Sequence, residues 1–86
     1  MKKISKAEAN LQKLEKMYIR FAADRFIDAK IEGRPEEKAD LDYHMAHAYQ
    51  TSLQLLYENM RGMTESEAEA QARISVTEKI EEIRKK

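Results

Sequence analysis

"GRPEEKADLDYHMAHAYQTSLQLLYENMRGMT", residues 33–64, decides the fold. It opens on Gly33 and Pro35, closes on Gly62, and holds no other glycine or proline. Proline at the first turn and glycine past the end are the punctuation of a single helix, and Glu36 and Glu37 suit the positive end of its dipole. The spacing therefore predicts a helix over 36–61. Placed on a 100° wheel, its apolar residues Ala39, Tyr43, Met45, Ala46, Tyr49, Leu53, Leu56, Tyr57 and Met60 form one broad face. Beyond the edge of that face, Leu41, Ala48 and Leu55 recur at spacing seven, a narrow seam of the coiled-coil kind. A helix apolar around more than half its girth is a hub with neighbours on several sides.

Two neighbours flank it. Ser5 with Glu8 three residues on is a capping-box pattern, and it opens a first helix over about 5–31 that stops before Gly33. Thr64 with Glu67 repeats the pattern, with Met63 and Ala68 as a hydrophobic staple, and opens a third helix over 65–84. No segment alternates at period two over a useful length, although Ile74, Val76 and Thr77 weaken the last helix slightly. The expectation is an all-α chain forming one domain over 1–86, a three-helix antiparallel bundle.

The first helix carries two stripes. Ile4, Ala7, Leu11, Leu14, Tyr18, Phe21, Ala22 and Ala29 run its length, with Arg25 falling inside and needing a carboxylate or a carbonyl. Ile19, Ala23, Phe26 and Ile27 form a second stripe in its C-terminal half. The first stripe suits the intramolecular core. The second is either a face wedged between both other helices or an interface. The third helix offers Ala68, Ala72, Val76, Ile80 and Ile83, a thin stripe.

Composition explains why an interface is expected at all. Of the 86 residues 42% are hydrophobic, but eleven of those are alanine, which leaves few large side chains for a small core. Sharing a core relieves the shortage, so the chain is expected to dimerise or to bind another protein through Ile19, Ala23, Phe26, Ile27, Leu41, Ala48 and Leu55.

Chemistry is sparse. No cysteine is present, which excludes disulfides, thiolate metal sites and cysteine nucleophiles. Asp40, His44, His47, Thr51, Gln54 and Glu58 occupy the face of the hub helix that the apolar residues vacate. Two imidazoles three apart behind a carboxylate could supply a two-histidine, one-carboxylate metal site. Helical carboxylate sites, however, repeat inward-facing ligands on several helices, and this face points outward with no third histidine anywhere. No metal, cofactor or catalytic residue is therefore expected. Asp40, His44, His47, Thr51 and Glu58 are read as solvated, or as a polar patch that meets a partner. The serines lack triad partners, and no glycine-rich loop could cradle phosphates.

Sixteen basic residues balance sixteen acidic ones, so no net field draws the chain to nucleic acid or membrane. The basic arm Lys2, Lys3, Lys6, Lys13, Lys16 and Arg20 lacks the interleaved aromatics of single-strand binders and the short turn of a helix-turn-helix. No run reaches the roughly 18 apolar residues of a membrane span, and the N-terminus does not read as a signal peptide. A soluble, cytoplasmic, non-catalytic regulator follows as the expected function. It would be an adaptor or inhibitor, in the style of phage- or plasmid-encoded accessory proteins, that masks a surface of a partner macromolecule. A dimeric nucleic-acid-binding regulator using the basic arm is the alternative, and a metal-dependent helical enzyme around residues 40–47 stands third.

Overall fold

Ser5 and Thr64 start their helices as the sequence predicts, but only Thr64 completes its box. The computed structural model describes residues 4–85 and has three helices, α1 (Lys6–Ala29), α2 (Glu36–Met60) and α3 (Glu65–Arg84). Thr64 Oγ1 accepts from the Glu67 backbone N–H at 3.2 Å, and the Glu67 carboxylate accepts from the Thr64 backbone N–H at the same distance. That contact holds the Glu67 carboxyl below its usual range. At α1, Ser5 Oγ accepts from the Glu8 backbone N–H at 3.0 Å. The Glu8 carboxylate does not turn back to the cap, because Arg61 claims it through two hydrogen bonds of 2.8 Å. Half of the expected box is therefore spent on joining α1 to the end of α2.

The breaks fall where glycine is needed. Gly33 (φ +80°) and Gly62 (φ +67°) lie in the left-handed region that side chains with a Cβ resist. The first helix ends at Ala29, two residues short of the sequence reading, with the Lys30 N–H turning back to Ile27 and Asp28. Pro35 sits just outside α2 and offers its carbonyl to the Lys38 and Ala39 N–H groups.

The helices run alternately up and down in two layers. α1 and α2 form the most extensive pairing, and α3 lies astride them on one side. The molecule measures 49 × 29 × 18 Å, and its radius of gyration of 14.4 Å exceeds the roughly 12 Å of a compact chain of this length. It is a slab. Its core is thin for the reason the composition suggests: of the nine buried hydrophobic residues, Ala22, Ala23, Ala46, Ala68 and Ala72 are alanine. Leu53, Leu56, Tyr57 and Val76 supply the bulk, with Ile19, Phe26, Ile80, Ile83 and Met63 packed around them.

This core uses both stripes of α1: Leu11 and Tyr18 of the first pack against it, and of the two readings of the second stripe the wedged one describes it. Ala23 is fully buried, and Ile19 and Phe26 pack against the core, so the second stripe is inward. Ala22 alone of the first stripe is fully buried, whereas Ile4, Leu14 and Phe21 stay exposed. The physical reason is α3, which lies on the side of α1 that carries Ile19 and Phe26, with Ser75 and Glu78 beside Ile19 and Val76 and Ile80 beside Phe26, and the opposite side is left open.

Candidate functional site

Three constellations of polar or apolar side chains emerge from this packing, and each has a different job.

The first holds the α1–α2 corner. Arg25, which needed a partner, finds Asp42: Nη1 donates to Oδ1 at 3.2 Å. Arg34, in the loop beyond Gly33, brings Nη2 to 2.7 Å from Asp42 Oδ2. That distance is an ion-pair distance, but the N–H groups are not aimed along it, and Arg34 Nε and Asp42 Oδ2 are buried without a well-formed hydrogen bond. Asp42 is 2% exposed while both guanidinium groups reach solvent, so one buried carboxylate pins a helix end and a loop. Sequence reading missed it. The signal was present, because Asp42 lies in the same arc as Ala46, Tyr49 and Leu53.

A hydrogen-bonded chain crosses the middle of the molecule. Tyr57 Oη donates to Glu15 Oε2 at 2.9 Å and lies 3.2 Å from Ser75 Oγ. Gln71 Nε2 donates to Ser75 Oγ at 3.0 Å. With the Tyr57 proton committed to Glu15, the Ser75 hydroxyl donates to Tyr57, and the chain runs Gln71, Ser75, Tyr57, Glu15 across all three helices. Burial pushes the Tyr57 hydroxyl up to about 12. Arg61 closes the bottom: its hydrogen bonds hold the Glu8 carboxyl below its usual range and lift its own guanidinium.

Asp40, His44, His47 and Thr51 are exposed on the outer face of α2, and Glu58, half-buried, accepts from Gln54. His47 stacks edge-on against Phe26 with ring centroids 5.2 Å apart, which ties it to the α1 side chains rather than to Asp40. Among the described residues no group of three metal-ligating side chains converges.

The third constellation is apolar and uncovered. On the side of the α1/α2 pair away from α3, Leu14, Met17 and Phe21 of α1 share a face with Leu55 and Met60 of α2, and Leu41 stands farther along α2, past Asp24, Arg25 and Asp28; exposures of the six apolar residues run from 39% to 65%. Between them runs a shallow groove lined by Leu11, Leu14, Tyr18, Ser52, Leu55, Leu56, Asn59 and Met60. It continues past Leu11 and Met60 to Ala7. Tyr49 leans on Phe21 at 5.3 Å between centroids and closes the upper end. A run of this kind on one face is larger than scattered surface leucines. Of the residues expected to bind a partner, Leu41, Ala48 and Leu55 are exposed along it. Ile19 and Phe26 lie instead against the core, Ala23 inside it, and Ile27 half-buried.

A second groove, between α1 and α3, is lined by Lys16, Ile19, Arg20, Ser75, Glu78, Lys79 and Glu82. Its charges are of both signs and partly neutralised, Arg20 by Asp24 at 3.0 Å and Lys79 by Glu82 at 3.2 Å. Lys2 and Lys3 of the basic arm lie outside the described residues. No described helix is long and apolar enough to cross a membrane. The chain matches no family model, no curated protein and no solved structure.

Proposed function

We propose that this protein is a small non-catalytic protein-binding regulator, an adaptor or inhibitor that dimerises and acts by covering a surface of a partner macromolecule. The observation that carries this reading is the uncovered strip of Leu14, Met17, Phe21, Leu41, Leu55 and Met60. At about 25 cal/mol per Å² of apolar surface removed from water, covering such a strip is a driving force for association that the chain alone leaves unused. The reading is non-catalytic because Asp40, His44 and His47, the residues with the most suggestive spacing, stand exposed on the outer face of α2. The proposed setting is the cytoplasm, since a fold without cysteine needs no oxidising compartment.

The test uses the purified chain and its Leu55→Asp variant as baits in extract of the native host. Proteins retained by the wild type are then purified and titrated against both baits. The expected result is a partner whose affinity falls about tenfold or more with Leu55→Asp, a loss of 1.4 kcal/mol or more. Partners that bind both baits equally would overturn the strip as the working surface.

A further inference from the structure

We infer that the strip is the seam of a symmetric homodimer in which α1 of each protomer lies antiparallel to α2 of its partner. This rests on the strip being a protein-binding surface and names its occupant. Three observations point to a second copy.

The first is area. The six large side chains of the strip expose on the order of 600 Å² between them, near the roughly 800 Å² per partner of a standard interface. The second is shape. α1 presents the bulky Leu14, Met17 and Phe21, whereas α2 presents small Ala48 and Ser52 between Leu41 and Leu55. Large side chains of one helix fit opposite small ones of the other, so α1 suits the partner's α2 better than it suits the partner's α1.

Charge is the third. Helical periodicity places Lys13 on the outer flank of α1 and Glu58 on that of α2, toward the same end of the molecule. Neither has an ion-pair partner in its own chain among the described residues. A two-fold axis parallel to the helices lays the α1 flank against the partner's α2 flank on both sides. It also keeps every residue at its own height. Glu8 lies level with Arg61 and Phe21 with Tyr49, so Lys13 comes level with Glu58 of the partner subunit. An axis across the helices would instead pair α1 with the partner's α1 and α2 with the partner's α2, leaving Lys13 and Glu58 on separate pairs. The product is a four-helix core of two α1/α2 pairs with α3 on each outer side.

The test measures dimer dissociation constants by sedimentation for the wild type, Lys13→Glu, Glu58→Lys, the double variant and Leu55→Asp. Helical content is checked by circular dichroism. Each single reversal places like charges together at two symmetry-related contacts and is expected to weaken the dimer by about three- to tenfold. The double variant exchanges the two signs and is expected to return to within about threefold of wild type. If the double variant instead compounds the two losses, the α1-to-α2 pairing is overturned. A wild type that stays monomeric at about 1 mM overturns the second copy as occupant and leaves the capture experiment to judge the strip itself. A dimer indifferent to Leu55→Asp overturns the strip as its seam and likewise leaves the capture experiment to judge the strip itself.

Discussion

Asp42 shows what a single residue contributes here, because one carboxylate at 2% exposure answers two arginines. Removing it leaves two guanidinium groups facing each other at a partly dry corner. Asp42→Ala is expected to cost about 1–3 kcal/mol, below the range for fully buried pairs because both arginines reach water. The control Asp24→Ala, at an exposed pair on α1, should cost under about 0.5 kcal/mol, and chemical denaturation of the two variants checks the difference. Tyr57 carries the second prediction. Its pKa rises from 10.0 to about 12, chiefly by burial, so the fold favours the neutral phenol. That contribution is whole below pH 10 and is lost as pH rises through about 12. Ultraviolet titration should show one tyrosine of the four ionising late, together with loss of helix, and Tyr57→Phe should remove that late step. Tyr57→Phe should also cost about 1–2 kcal/mol, since Glu15 and Ser75 lose their shared partner. Arg25's need for a partner was legible in the sequence, because its own helix places it among apolar residues. The partner of Tyr57 was not, since Glu15 lies 42 residues away and only tertiary packing joins them.

At the scale of elements, the two N-caps differ although their sequence patterns match. Thr64 has both bonds of the capping box, and Ser5 has one because Glu8 is held by Arg61. Thr64→Ala is expected to cost about 1 kcal/mol, and Ser5→Ala, which removes one cap bond where Thr64 has two, about half of that. Part of the Thr64 effect depends on pH. The Glu67 carboxyl is lowered from 4.5 by Thr64, so its contribution is present above that value and fades as pH falls through the lowered one. Thermal melts at pH 7 and pH 3 should therefore show a smaller Thr64→Ala effect in acid. Gly62→Ala, at φ +67°, should cost about 1 kcal/mol although no neighbour crowds the position. Helix existence and ends were legible to within two residues because capping residues, Gly33, Pro35 and Gly62 act locally. Which stripe of α1 faces inward was not, because a wheel shows periodicity on one helix. The choice between stripes depends on how three helices meet, and Ile19, Ala23 and Phe26 join a core shared with residues of α2 and α3.

For the whole molecule, the sequence showed a shortage of large side chains, and the structure shows where the shortage leaves a gap. Five alanines among nine buried hydrophobic residues let three helices approach closely, and the resulting slab is 18 Å thick with one broad face uncovered. Leu41, Ala48 and Leu55 could be seen in the sequence as a seam at spacing seven. The bulky partners across the groove, Leu14 and Phe21, were read as core because their stripe is the longer one on α1. Melting temperature should rise with protein concentration if the face is covered by a second copy, since association stabilises the folded state by mass action. The most direct measurement is sedimentation equilibrium of the wild type beside Leu55→Asp, at concentrations from micromolar to several hundred micromolar. Dimerisation through the strip requires twice the 10.1 kDa chain mass for the wild type and a return to 10.1 kDa with unchanged helicity for Leu55→Asp. A wild type that remains at 10.1 kDa throughout, or a Leu55→Asp variant that still doubles, would contradict it.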